Sequence, residues 1–270
     1  MVNTSIDNKI CFIEMANADR LNCLSEEMCT ELVAAIDQAY ENECVGIVIK
    51  AQCKHGVWSA GHDIRELPQD GHDPLAYDVP MEQLLRKVQN VPIPVIAYAN
   101  GTVWGGACDL CVSCDMIVAV DTATFAITPA KIGIPYNASG IMHFINQLGI
   151  NKAREMFFTA NPITAQDALN VGFVNLVATA EDLDGQLKEK ILDPLRRNSV
   201  LSISAIKRQF RILSKAASSI SSESFEKINA LRNVVYNGED YREGINSFLE
   251  KRKPEYKGKA ADLDGLSGKW

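Results

Sequence analysis

The sequence holds no apolar run long enough to span a bilayer, so no membrane partner is expected. Its start, Met1-Val-Asn-Thr-Ser-Ile-Asp-Asn-Lys-Ile10, lacks a basic stretch followed by an apolar one, and lacks the arginine-rich, acid-poor character of a transit peptide. A cytoplasmic location is the expectation. Positive charge is in short supply: 27 Lys and Arg against 34 Asp and Glu leave a net charge of −7. That balance argues against a nucleic-acid partner, which needs a basic face. It still admits an anionic small molecule held by a few local cations. Histidine is scarce, and the four present (His55, His62, His72 and His143) form no metal-ligand spacing. No Walker-type phosphate loop and no dinucleotide-binding fingerprint occur.

Cysteine stops at position 114. The eight cysteines fall in apolar or helical runs, and a disulfide scaffold is not expected in a long chain without a secretion signal. Cys108-x-x-Cys111-x-x-Cys114 has the spacing of iron–sulfur ligands, but the fourth cysteine, followed by proline, is missing. On a helix the three share roughly one side, as buried thiols acting like small apolar residues. No metal is expected.

What is present describes a globular α/β chain. Its 270 residues, 47% hydrophobic and 23% charged, can bury a sizeable core as one large domain or a domain with an appendage. Residues 9–14 read as a first strand. Ser25 suits the N-cap of a helix reaching about 42, with Glu26 and Glu27 in its first turn and Leu32, Ala35, Ile36 and Ala39 on an apolar stripe. Residues 45–51 read as a buried strand. The stretch 54–80 reads as a loop too long for a plain connector, and such loops are usually functional. Then follow a helix over 81–90, a strand over 95–98, a glycine turn and a buried helix. Strands over 116–120 and 124–127 come next, then helices over 137–148, 152–159 and 164–169, and a last strand over 173–177. Repeated strand–turn–helix units without antiparallel hairpin signals predict βαβ topology. From 181 onward the pattern is helical, over about 181–197, 200–216, 222–236 and 239–251. The expected organisation is an α/β core over 1–195, a helical region over 196–257, and a Gly/Ala/Asp/Lys-rich tail over 258–270 that is loosely ordered.

Two stretches carry chemistry. Gly105-Gly106 follows a short β-rich run and opens the buried helix, which leaves free backbone N–H groups at a helix N-terminus. Trp58-Ser-Ala-Gly-His-Asp63 follows the apolar run ending at Lys50 and has the same grammar. Side by side, the two strand ends would each give one N–H to a single oxygen, which makes an oxyanion hole.

Ser59-Ala-Gly-His-Asp63 with Asn100-Gly-Thr-Val-Trp-Gly-Gly-Ala-Cys108 resembles the paired signatures of the crotonase (enoyl-CoA hydratase/isomerase) superfamily, and Asp19-Arg-Leu-Asn-Cys-Leu-Ser25 resembles its N-terminal signature. Ala60-Gly-His-Asp-Ile-Arg-Glu-Leu-Pro68, Thr128-Pro129, Gly133-Ile-Pro-Tyr-Asn137 and Phe248-Leu-Glu-Lys-Arg-Lys-Pro254 resemble its decarboxylating branch. The resemblance runs to about Lys257 and is specific only in combination. It implies ββα turns wound as a superhelix, with a C-terminal helical region completing a homotrimer or a dimer of trimers. It assigns the two oxyanion N–H donors to His62 and Gly106, and the coenzyme A loop to Ala60, Gly61, His62, Asp63 and Ile64. It assigns Tyr136 to the substrate carboxylate, Thr128 to a substrate contact and Lys251 to the nucleotide phosphates.

The two glutamates that split water in the hydratases fall at Asp109 and Pro129. Paired carboxylates are therefore expected to be absent, and water addition loses its general acid/base pair. Asp109 stays open between a catalytic and a packing role. Loss of carbon dioxide needs only stabilisation of a thioester enolate, and one oxyanion donor is worth ~3 kcal/mol. Trp104, Ile134 and Pro135 would give the carboxylate an apolar surround. The expected activity is decarboxylation of methylmalonyl-CoA to propionyl-CoA, with coenzyme A as part of the substrate and no separate cofactor. The alternatives are an enoyl-CoA hydratase or isomerase, and a non-catalytic acyl-CoA-binding protein.

Overall fold

The computed structural model describes residues 1–68, 73–217 and 220–263. The chain opens with strands β1 (Val2–Asp7) and β2 (Ile10–Met15), then helix α1 (Glu26–Glu41). Three turns of one pattern follow, each a long strand, a short strand and a helix. They are β3 (Gly46–Ala51), β4 (Val57–Ser59) and α2 (Pro80–Asn90); β5 (Val95–Ala99), β6 (Thr102–Trp104) and α3 (Gly106–Ser113); and β7 (Met116–Val120), β8 (Thr124–Ala126) and α4 (Ala138–Thr159). β9 (Ile163–Thr164), α5 (Ala165–Asn170) and β10 (Leu176–Ala178) close the mixed part. Helices α6 (Leu183–Leu187), α7 (Asp193–Arg197), α8 (Val200–Ala217), α9 (Ser222–Asn237) and α10 (Glu239–Leu249) complete it, with a π-helical turn Lys188–Leu192 joining α6 to α7.

The long strands form one six-stranded sheet in the order β1-β2-β3-β5-β7-β10, and the short ones a second sheet, β4-β6-β8-β9. Neighbours from β2 through β10 run parallel, as do β4, β6 and β8. Parallel strands covered on both faces read as continuous apolar runs, and β3 and β5 do. This is the expected ββα superhelix. At α1 the Ser25 side chain accepts the Met28 N–H, as its N-cap position predicts.

The chain departs from the sequence reading where elements are short or polar. β1 pairs with β2 as an antiparallel hairpin, contrary to the expected absence of hairpins. Five of its six residues are exposed, so no apolar alternation marks it, and Asn8 and Lys9 turn through positive φ without a glycine. β4 and β6, three residues each, fall inside stretches read as loop and turn. α4 joins the two helices expected over 137–159, with a non-helical Gly149 marking the break. Of the tail, Ala260–Leu263 form a 3-10 turn, while 264–270 and His72 lie outside the described residues.

Lys207 on α8 fastens the helical region to the core. Its buried ammonium donates to the Val88 and Ile93 carbonyls and to Asp115 Oδ2 at 3.1, 2.9 and 2.6 Å. Replacing it by methionine removes the cation from a partly exposed Asp115, which keeps only the Val95 N–H, and takes the lysine donor from two carbonyls. Lys207→Met is expected to lower unfolding free energy by about 2 kcal/mol, read from the urea midpoint.

Candidate active site

The N-terminal signature holds the first oxyanion loop. Asn22, fully buried in a left-handed turn, donates to the Trp58 and Gln52 carbonyls, and its own carbonyl accepts from Ser59 Oγ at 2.7 Å. Ala60 N–H donates to Leu21 O, and Leu24 N–H to Gly61 O. The loop after β4 is thereby tied to residues 21–24. Asp63 anchors its far end, accepting from Arg65 at 3.0 Å and pairing with Arg20. Burial pushes the Asp63 carboxyl up, but the two arginines outweigh it and hold it below the usual range. A carboxyl with a depressed folded value contributes stability that is present above its unfolded pKa and lost as pH falls through the folded one. Asp63→Asn is therefore expected to cost about 1–2 kcal/mol at neutral pH. The loss should shrink as pH falls below about 4, as melting curves between pH 7 and 2 would report.

Gly61 has φ +85°, and a Cβ there would lie 2.4 Å from Trp104 O and 2.9 Å from Gly106 N. The two strand-end loops are pressed together at backbone distance. From the other side, a Cβ built on Gly106 would lie 3.4 Å from His62 N. Among the described residues neither the His62 nor the Gly106 N–H donates to another backbone group, and Gly106 is the first residue of α3. Two free amides at the ends of β4 and β6 thus sit side by side, one at the positive pole of a helix.

They face a cavity of about 60 Å³ lined by Ala60, His62, Ile64, Leu67, Met81, Gly105, Gly106, Thr128, Pro129, Ile132, Ile134 and Tyr136, with Pro74 and Leu75. No carboxylate is among these lining residues. The His62 imidazole contacts Met81 Sδ at 3.4 Å, and its burial lowers its pKa against the pull of Asp63, which favours the neutral ring. The wall formed by Ile64, Leu67, Ile132 and Ile134 is backed by the helical region. Tyr241 donates to Pro68 O and Tyr236 to Pro135 O, and Gly244 and Gly133 let α10 meet the Pro129–Ile132 turn backbone to backbone.

Tyr136 is buried, and its hydroxyl donates to Asp109 Oδ2 at 2.9 Å. Asp109 Oδ1 lies 2.8 Å from His143 Nδ1, and His143 Nε2 lies 3.0 Å from Gln89. Burial, then Asp109, push the Tyr136 hydroxyl far above its usual range. Burial alone would lower the His143 pKa, but Asp109 reverses it and the net shift is upward. Glu82, 6% exposed, accepts from Asn137 at 2.7 Å and is raised by burial.

The structure thus gathers Ala60, Gly61, His62, Ile64, Gly106, Thr128 and Tyr136 at one place. Asp63 supports the loop from behind, and Asp109 stands behind Tyr136. Lys251 lies at the exposed end of α10 and lines no part of the cavity. Two expectations need correcting. Trp104 is 47% exposed and, like Pro135, is not in the lining; only Ile134 is. A second buried acid, Glu82, stands near Asp109, but it lines a separate cavity and not this one. Sequence reasoning does not reach the roles of Gln89, His143 and Asn22, since Gln89 meets His143, and Asn22 meets Trp58, only through the fold. The three buried cysteines Cys108, Cys111 and Cys114 are free thiols pushed up by burial. No group of three or more potential metal ligands exists among the described residues.

Residues 5–259 match the family described as enoyl-CoA hydratase/isomerase. The chain is 41% identical over 257 residues to methylmalonyl-CoA decarboxylase of Escherichia coli (strain K12), covering 95% of this chain and 98% of that one. It is similar to a solved methylmalonyl-CoA decarboxylase in complex with 2-nitronate-propionyl-CoA, with TM-score 0.92 and 41% identity over 96% of this chain and 98% of that one. A methylmalonyl-CoA decarboxylase complexed with 2S-carboxypropyl-CoA superposes with TM-score 0.91 at the same identity and coverage.

Proposed function

We propose, from the premise that the chain belongs to the enoyl-CoA hydratase/isomerase family, that it is a carboxy-lyase converting methylmalonyl-CoA to propionyl-CoA. The observation that carries the reading is a pair of unpartnered backbone amides facing a cavity whose lining has no acid. The 41% identity to a methylmalonyl-CoA decarboxylase over nearly the whole chain supports it.

In this reading the thioester oxygen sits between the His62 and Gly106 N–H groups. As the bond from C2 to the carboxylate breaks, its electron pair moves into the carbonyl, and the enolate charge settles on that oxygen. Ile64, Leu67, Ile132 and Ile134 surround the reacting end with apolar surface, which favours loss of the carboxylate's charge. The Tyr136 hydroxyl turns its hydrogen from Asp109 to the departing carboxylate, and Thr128 lies beside Gly105 at the cavity edge. The small cavity suits a short acyl group. Residues 60–64 take the coenzyme A moiety and Lys251 its phosphates. The reaction uses no separate cofactor, since the enolate is stabilised by the main chain.

A hydratase would need two acids on the reacting face, and Pro129 occupies one of the two positions. No helix of the described residues is long and apolar enough to cross a membrane; we place the protein in the cytoplasm. We assign it a homotrimer or a dimer of trimers, supported by the exposed apolar side chains Leu201, Phe210 and Leu213 on α8. Incubation with methylmalonyl-CoA, malonyl-CoA and crotonyl-CoA, followed by mass, tests the activity. Propionyl-CoA with carbon dioxide and no hydrated crotonyl-CoA is expected; hydration alone would overturn the reading.

A further inference from the structure

Decarboxylation consumes one proton per turnover, because C2 gains a hydrogen where it lost carbon dioxide. The small cavity offers few sources. Its histidine, His62, faces a thioether, and burial disfavours its charged form. Its other titratable lining residue is Tyr136, whose hydroxyl leads out of the cavity to Asp109 and on to His143. His143 lies on the wall of a second, far larger cavity of about 680 Å³ between α4, α8 and α9. Its side chain keeps 21% of its surface open while that of Asp109 keeps 2%. A continuous hydrogen-bonded chain therefore connects the two cavities through the protein interior.

We propose that this chain is the proton route of the reaction: protons enter at His143 from the larger cavity, pass through Asp109, and reach C2 of the substrate from the Tyr136 hydroxyl. The proposal rests on the carboxy-lyase reading and supplies its proton donor. Carbon dioxide leaves with the C2–carboxylate bond, and the electron pair stays on the enolate. Tyr136 then gives its hydroxyl proton to C2, and the new C–H bond closes the thioester. Tyr136 regains a proton from the Asp109–His143 pair, and water from the larger cavity reloads that pair at His143 Nε2 when the Gln89 amide swings aside. The net change is one carboxylate and one proton converted to carbon dioxide and the C–H bond. Tyr136 touches the reacting atoms; His143 acts through Asp109 and is a positioning and relay residue.

The surroundings of His143 suit the task. It faces Asp109 from α3, Glu82 and Gln89 from α2, and Arg211 from α8. The two acids favour its charged form and Arg211 opposes it, with the upward shift prevailing over burial. Gln89 can present either amide end, so it can accept from a charged ring or donate to a neutral one. A pair loaded by a raised group is full at low pH and empties as pH rises through that group's folded pKa. The rate of proton delivery should fall over the same range.

The test is His143→Asn, which keeps a donor toward Asp109 but cannot carry a proton. Two readouts are followed: deuterium exchange at C2 of propionyl-CoA in D2O, which runs the protonation step backwards, and the pH profile of carbon dioxide release. The wild-type protein should exchange, and His143→Asn should lose about tenfold or more of that rate. KM should hold within about twofold, and the alkaline fall of the profile should vanish. Exchange at the wild-type rate with an unchanged profile would overturn the route. Asp109→Asn, which keeps a partner for Tyr136 without a titrating oxygen, gives the same decision if His143→Asn does not fold. A wild-type protein that exchanges C2 but releases no carbon dioxide would sink the carboxy-lyase reading and leave the route standing.

Discussion

Gly61→Ala is expected to lower kcat for decarboxylation by about 10²–10³-fold, the usual loss when one oxyanion donor is removed. The new Cβ would meet Trp104 O at 2.4 Å and Gly106 N at 2.9 Å, on a residue whose φ of +85° already excludes most side chains. Both obstacles are main chain, so neither can swing aside. The loop after β4 and the turn before α3 must part, and the two amides no longer meet on one oxygen. Gly106→Ala is the informative contrast. Its Cβ meets Met81 Cε at 2.5 Å, the far end of a flexible side chain that can move away. The loss there should be smaller than at Gly61. Steady-state kinetics on both variants, with melting curves to confirm folding, check the ranking.

Tyr136→Phe is expected to lower kcat by about 10²–10⁴-fold, the range for removing a positioned proton-transfer group, while KM moves little. The ring keeps its edge contacts, with centroids 5.2 Å from Phe157 and 6.4 Å from Phe144, so the wall of the cavity should survive. Only the hydroxyl is lost, and with it the contact to the departing carboxylate and the link to Asp109. Unchanged turnover would remove Tyr136 from the chemistry; a large KM effect would make it a binding residue.

These effects show what the primary structure carries and what it hides. The glycines at 61, 105 and 106 could be read as functional because a strand, a tight bend and a helix start leave a trace in residue type. The winding of the core could be read where strands are long and apolar, as in β3, β5 and β7. It could not be read in β1, whose polar, exposed residues look like a loop, nor in three-residue strands too short to show any alternation. The buried polar chain behind Tyr136 was hidden for a different reason. Gln89, Asp109, Tyr136 and His143 come from separate elements, and only the stacking of α2, α3 and α4 brings them together. Glu82 illustrates the same limit. It looks like the ordinary first-turn acid of a helix, yet Asn137 draws it into the interior, 55 residues away in sequence. For the helical region the resemblance implies only a part in assembly, while the structure also sets Tyr236 and Tyr241 of α9 and α10 behind the cavity wall, against Ile64, Leu67, Ile132 and Ile134.

The most direct measurement compares two coenzyme A thioesters by calorimetry: propionyl-CoA, and an analogue carrying a planar anionic enolate mimic at C2. If the His62 and Gly106 amides exist to hold developing negative charge, the mimic should bind at least about 10²-fold more tightly, and Gly61→Ala should erase most of that preference. Equal affinity for the two thioesters, or a preference that survives Gly61→Ala intact, would contradict the account.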